Sequence, residues 1–431
     1  MGELMKILRC SIVLFLLAAV VHAEPLPFRQ AVELAAKRSN LMSATEQARA
    51  HDAYLAAARM YIPQLTVGSG LAKTFGYPLS IEGSAPSVVS VNATSYLVNP
   101  AGREFVRAAH MEWNASALSA EDRRQQAILE TSVTYSQLDR MVAALHLLHQ
   151  QEQEAQRAEQ IASERVQAGV EAEIEVTRAK LASARVRMSI AQIEGNVDAL
   201  RNLLAQQTGL PVAGIETVTE SIPQLPEVSQ RDDLAAKSAS SSLAVKLAFA
   251  QADAKLFRAR GEHKALWPAI DFVGQYGLFA KFNNYTQFFP AGTFQYNNGV
   301  VGVAIRFPFF NMAQKARAAA ADAEAVQARH DAETAKTKVS NETRKLQHQV
   351  AELAAAREVA RLEYQLARAD VDAMQTKVQG GTATLRDEAH ARLAEGEKYT
   401  AYLDASYQIE QAQMQLLRST GELEKWALAQ K

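Results

Sequence analysis

The chain is written twice, and that duplication constrains its fold more than any other feature. Tyr61-Ile62-Pro63-Gln64-Leu65 is echoed by Leu266-Trp267-Pro268-Ala269-Ile270, an offset of 205 (268 − 63). Arg165-Val166-Gln167-Ala168-Gly169 is echoed by Lys377-Val378-Gln379-Gly380-Gly381, an offset of 212 (381 − 169) that Asn99 and Asn311 share. The seven extra residues (212 − 205) of the second copy therefore lie between its Pro and its Asn. Self-similarity of this kind marks one supersecondary unit used twice.

Each copy opens on an Ala-rich helical stretch, Phe28 to Met60 and Leu234 to Leu266. Pro63 and Pro268 end these stretches, because proline donates no backbone hydrogen bond and restricts the residue before it. The period then changes from that of a helix to two. Phe272, Gly274, Tyr276, Leu278, Ala280 and Phe282 alternate with Asp271, Gln275 and Lys281; Val301, Val303, Ile305, Phe307 and Phe309 alternate with Gly302, Ala304 and Arg306. This is the strand signature, with a turn expected from Asn283-Asn284 through Asn297-Asn298-Gly299. The first copy repeats it more faintly, in Leu65, Val67 and Leu71, then Val89, Val91 and Leu97, with a loop expected over Gly83 to Ser87.

A long helix follows each hairpin, about 65 residues or on the order of 100 Å of rod. Ile128, Tyr135, Leu138, Val142 and Leu145 keep a 3-4 spacing, as do Leu346, Val350 and Leu353 with Val339 one heptad earlier; both read as coiled-coil seams. The chain reverses at Gly169 and at Gly380-Gly381, and the returning helices end near Gly209-Leu210-Pro211 and Gly421. Only 20 Gly and 12 Pro among 431 residues agree with so much helix.

At the N-terminus, Lys6 and Arg9 precede an uncharged run from Ser11 to Val21 and the small-x-small pattern Val21-His22-Ala23. This predicts a secretory signal peptide cleaved after Ala23. Cys10 follows Arg9 and precedes the apolar run, which does not suit a lipidation site, so the mature chain is expected to lack cysteine. No later apolar run approaches the ~20 residues that span a bilayer. Entry into a membrane must therefore be by strands. Of the 30 aromatic residues (15 Phe, 12 Tyr, 3 Trp), 13 fall between Leu266 and Phe310, as in an interfacial girdle. Four strands cannot close a barrel and lipid tolerates no open edge, so several chains must share one barrel.

The charge balance, 46 Lys+Arg against 47 Asp+Glu, creates no basic field for nucleic acid, and a single Cys allows neither an internal disulfide nor a thiolate zinc site. Gly-rich phosphate loops, His-Glu-x-x-His and Gly-x-Ser-x-Gly are missing, so neither an enzyme nor a cofactor is expected. His146 and His149 have a spacing that can hold a metal but no convergent third ligand, and no metal is expected. The charged run Glu152 to Arg165 reads as a wet helical face. Asp387 and His390 share one helical face just past the Gly381 reversal.

The duplicated helix-hairpin-helix unit, the segment Phe307-Pro308-Phe309-Phe310-Asn311 opening a long helix, and the two Gly tips resemble the TolC-type outer-membrane efflux family. Ala168-Gly169-Val170 and Gly380-Gly381-Thr382 are similar to the tip motifs by which members dock a periplasmic adaptor. The resemblance implies a mainly α fold with β: a homotrimer whose four strands per chain, twelve in total, make a transmembrane barrel continuous with a periplasmic α-helical barrel. It implies a signal peptide at 1–23, helices at 24–62, a transmembrane hairpin at 63–99, and a long helix, tip (168–172) and return helix at 100–210. An equatorial linker would cover 211–233. The second copy would place its helix at 234–267, its hairpin at 268–310, its long helix, tip (379–384) and return at 311–420, and a tail at 421–431.

By the same resemblance Asp387 falls at the position of a constricting acidic ring, with His390 in place of a second acid and Glu175 at the matching acidic position of the first copy. Ala383 replaces an Arg that ties the closed entrance. The implied function is a passive exit duct coupled through the adaptor to an inner-membrane pump, set in outer-membrane lipid and extending into the periplasm. Two rivals share some of these features: an exit duct for polypeptides in type I secretion, and a periplasmic adaptor with a helical hairpin. The paired alternating hairpins argue against the adaptor.

Overall fold

A computed structural model describes residues 25–71, 86–170, 172–226, 233–281, 293, 295–308 and 310–429. The expected leader, the first-hairpin loop over 83–85 and the Asn283-Asn284 turn lie outside these residues.

The duplication holds in the long helices and their returns. The first copy runs α1 (Phe28–Ala58), β1 (Gln64–Gly70), β2 (Ser87–Val98), α2 (Pro100–Gln167) and α3 (Glu173–Thr208). The second runs α4 (Leu234–Ser241), α5 (Leu243–Lys264), β3 (Ala269–Phe279), β4 (Asn297–Arg306), α6 (Met312–Gln379), α7 (Leu385–Thr420) and a short α8 (Leu423–Ala427). Helices α2 and α6 are both 68 residues long and α3 and α7 both 36. Their starts differ by 212 (312 − 100 and 385 − 173), the offset of the Asn and Gly pairs.

The cause lies in the repeated residues. Asn99 Oδ1 accepts from Gly102 N at 2.9 Å and Asn311 Oδ1 from Gln314 N at 3.0 Å, so each Asn caps its long helix by satisfying a first-turn donor. At the other end Gly169 (φ 72°) and Gly381 (φ 69°) adopt the left-handed conformation that closes a helix. Gly209 and Gly421, again 212 apart, do the same for α3 and α7.

The pre-sheet helix of the second copy departs from the sequence expectation. Instead of one helix from Leu234 to Leu266, the chain breaks at Ser242 (φ −55°, ψ 127°). The run Ser238 to Ser242 explains it: Ser238, Ser240 and Ser241 hydroxyls donate to the carbonyls of Ala235, Lys237 and Ser238, competing with the helix ladder.

The strands form one antiparallel sheet in the order β1-β2-β3-β4. The turn of the second hairpin is shorter at its end than expected. Asn297, Asn298 and Gly299 already belong to β4, opposite Leu278, Gly277 and Tyr276. Likewise Ser87 opens β2, opposite Phe279. Backbone pairing outweighs turn propensity once the ladder is in register.

The chain forms two compact units. Among the described residues, one comprises those of 25–42, 122–242 and 339–429. Its core gathers Phe28, Ile128, Tyr135, Leu138, Leu204, Met414, Leu423 and Trp426. Phe28 meets Tyr135 and Trp426 edge-on, with centroids 5.3 and 5.5 Å apart. The Tyr135 hydroxyl donates to Leu26 O at 2.6 Å and accepts from Val218 N at 2.8 Å, fastening the linker to α2. The α2 seam differs from the pattern: Ile128, Tyr135 and Leu138 are buried, but Val142 is exposed and Ala144 is buried instead. Val350 lies in a second cluster with Ala412 and Leu416, against which Leu346 and Leu353 pack.

The other unit, 43–121 and 243–338, contains the sheet. Here Gly261 lets α5 approach α2, since a Cβ would sit 2.6 Å from the Phe105 ring. Beside it the buried Glu104 carboxylate accepts from Lys264 Nζ at 2.6 Å and Arg107 at 3.1 Å. Burial pushes this carboxyl up, but the two cations outweigh it and hold the group below its ordinary range.

Candidate functional site

The register sorts the strand residues onto two faces. Antiparallel partners point the same way, so Leu65, Ala93, Gly274 and Val301 share one face, with Val67, Val91 and Tyr276, and with Phe272, Val303 and Ile305. Val67, Val301, Val303 and Ile305 are 56–79 % exposed. Such a contiguous exposed apolar surface is not that of a water-facing sheet. The opposite face carries Thr66, Asn92, Thr94, Gln275 and Asn298. The alternation read from the sequence is therefore realised as one apolar face and one mixed face, polar at Thr66, Asn92, Thr94, Gln275 and Asn298 but apolar at Val273 and Val300. The outer edges of β1 and β4 have no strand partner among the described residues. No helix among the described residues is long and apolar enough to cross a membrane.

The two tips share one geometry. Gly169 N and Val170 N donate to Val166 O and Arg165 O; Gly381 N and Thr382 N donate to Val378 O and Lys377 O. This pair of bonds is the Schellman motif, which satisfies the last carbonyls of a helix through a left-handed residue. Ala168, Gly169, Val170, Gly380, Gly381 and Thr382 are all exposed. A Cβ built on Gly169 or Gly381 meets nothing within 4 Å.

The tips differ in how the return helix begins. Helix α3 follows Ala172 as N-cap, with no side-chain cap. Helix α7 starts with a capping box in which Thr384 Oγ1 accepts from Asp387 N while Asp387 Oδ2 accepts from Thr384 N at 3.0 Å and Oγ1 at 2.7 Å. These bonds from Thr384, with Arg386 and His390 adding to them, hold the Asp387 carboxyl below its ordinary range. Asp387 thus starts a helix as well as carrying charge.

Glu175 pairs with Arg178 at 2.5 Å. It also faces Arg386 at 4.0 Å, and Arg386 lies 3.7 Å from Asp387. Arg386 therefore stands between the two acids of the two tips. Nothing in the tip pattern marks Arg386, since at the expected tie position stands Ala383; its adjacency to Asp387 in sequence is the available signal. His390 is exposed on the same helix. Among the described residues no group of three or more His, Cys, Asp or Glu gathers as metal ligands, and His149 faces Glu152 at 3.8 Å.

The chain thus combines a four-stranded two-faced sheet with two equal pairs of long helices that reverse at glycine tips. The family model "Outer membrane efflux protein" matches residues 30–210 and 234–422, and the chain belongs to that family. It is accordingly an outer-membrane efflux protein. The fold is that of the outer membrane protein VceC of Vibrio cholerae, at 18 % identity and TM-score 0.74 over 91 % of this chain and 96 % of that one. It is equally similar to the CmeC outer-membrane channel of Campylobacter jejuni (14 %, 0.75, 94 % and 87 %) and to the open state of the MtrE channel of Neisseria gonorrhoeae (15 %, 0.74, 92 % and 90 %). No curated protein matches the chain by sequence.

Proposed function

We propose that three copies of this chain join their open β1 and β4 edges into one twelve-stranded barrel, four strands each. The pore so formed is a passive exit duct for cargo delivered by an inner-membrane pump. An open edge in lipid leaves a row of unsatisfied backbone groups, and a ring of identical chains removes every edge at once. The apolar face meets lipid and the polar face lines the passage.

The observation that carries the coupling to a pump is the pair of equal tips. Two exposed reversals, each with open space where a side chain would stand, suit close approach by a helical hairpin of a periplasmic adaptor. Ala168, Gly169, Val170, Gly380, Gly381 and Thr382 form that docking surface, and Asp387, Glu175 and His390 line the entrance beside it.

Cysteine introduced at Thr382 or Gly169 tests this. Oxidative crosslinking in intact cells is expected to capture one periplasmic protein with a helical hairpin, encoded with or beside an inner-membrane pump. Capture of outer-membrane proteins alone, in cells that still perform efflux, overturns the docking assignment.

A further inference from the structure

The described strands carry charge at two positions, Asp271 and Arg306, both at the end of the sheet joined to the helices. Asp271 lies opposite Tyr96 and Ala304, and Arg306 is two residues beyond Ala304, so all stand on the polar face. Arg306 Nη2 lies 2.7 Å from Asp271 Oδ2, and the guanidinium rests over the Tyr96 ring at 5.8 Å from its centroid. The pair is unequal in exposure: the Asp271 side chain is 13 % exposed and that of Arg306 61 %. The other carboxylate oxygen, Oδ1, is buried without a hydrogen-bond partner.

The carboxylate lies under the arginine, where its field is spent on the guanidinium, while the permanently charged guanidinium stands out from the sheet. The Tyr96 face holds the cation in place. Thr94, Asn92 and Gln275, its neighbours on the same face, are uncharged hydroxyls and amides, so no strand carboxylate other than Asp271 offsets it.

We propose that Arg306, propped by Asp271 and Tyr96, is the charge filter of the strand-lined passage, drawing anions and anionic cargo to its helix-side mouth and disfavouring cations there. The proposal rests on the reading that the polar face lines the duct. Threefold assembly brings one such guanidinium per chain to the same level, opposite in sign to the acids at the tips.

Thr94, exposed on the polar face near Tyr96, reports the potential without passing current through the tips. Purified trimers carrying Thr94→Cys are reacted at low ionic strength, where screening is weak, with an anionic (sulfonatoethyl) and a cationic (trimethylammonioethyl) methanethiosulfonate. The protein without Thr94→Cys sets the background. The anionic-to-cationic rate ratio is expected to exceed that of a free thiol. Arg306→Gln should bring it below the free-thiol value, because Asp271 is then uncompensated. Arg306→Lys should keep it above, and Asp271→Asn should raise it. A ratio unmoved by Arg306→Gln, or an introduced thiol inert to both reagents, in assemblies that conduct in planar bilayers, overturns the proposal. Assemblies that insert but never conduct overturn the duct reading itself.

Discussion

The glycine tips give the sharpest test of how sequence, backbone and docking are linked. Gly169 and Gly381 hold φ of 72° and 69°, where any residue with a Cβ is strained by roughly 1–2 kcal/mol. A Cβ at either position meets no atom within 4 Å, so at the Cβ the backbone strain is the cost within the chain. Both glycines terminate helices of 68 residues whose other ends are anchored in the strands' unit. A local penalty of this size frays the last turn and leaves the core of Phe28, Tyr135 and Trp426 intact. Gly381→Ala and Gly381→Leu should therefore insert and assemble at wild-type levels, and the shift in thermal midpoint should be the same for both. Efflux should separate them from wild type: Leu fills the space a partner helix would enter, so drug or solute resistance and adaptor crosslinking from Thr382→Cys should fall steeply, more for Leu than for Ala. The assays are trimer yield in outer-membrane fractions, crosslinking and susceptibility. Loss of the trimer in Gly381→Ala would refute the reasoning, since it would make the glycine a folding requirement. Equal efflux in Ala and Leu would show that nothing approaches the tip.

Asp387→Asn keeps an oxygen for the Thr384 cap but removes the charge, so it should lower cation selectivity in planar bilayers without unfolding α7. Because Thr384 holds this carboxyl below its ordinary range, mild acid on the periplasmic side leaves Asp387 charged and should leave its contribution to selectivity in place. Arg386→Ala removes the cation between Glu175 and Asp387 and should raise the closed-state conductance; unchanged conductance would mean that the tips are held by other contacts. Lys264→Met leaves buried Glu104 with Arg107 alone and should cost about 3 kcal/mol at most in denaturant unfolding at neutral pH, the low end for a broken buried pair because Lys264 is a third exposed and Arg107 remains. The Glu104 carboxyl is held down in the fold, so its stabilisation is complete above the ordinary carboxylate range and is lost as pH falls through its folded value; Lys264→Met should flatten that acid limb.

How much of this was legible in the residues depends on the range of the interaction responsible. The offset of 212 identified the duplicated helices, because the signals that start and stop them are local: Asn99 and Asn311 cap a first turn, and Gly169 and Gly381 close a last one. The two faces of the sheet were equally readable, since alternation of Phe272, Gly274 and Tyr276 with Asp271 and Gln275 needs only the pleat of a single strand. What depended on partners distant in sequence was not readable. Asn297 to Gly299 look like a turn until β3 pairs with them, and Val142 continues a heptad until the neighbouring helices leave it in solvent and cover Ala144. The break at Ser242 was local yet missed, since serine hydroxyls reveal whether they will compete with a helix ladder only in the fold. Likewise Arg386 looks like one more surface arginine until two reversals, 212 residues apart in the chain, set Glu175 and Asp387 on either side of it. A side chain's own backbone is set by its neighbours in sequence, but its charge acquires a role only from what the packed helices bring within a few ångströms.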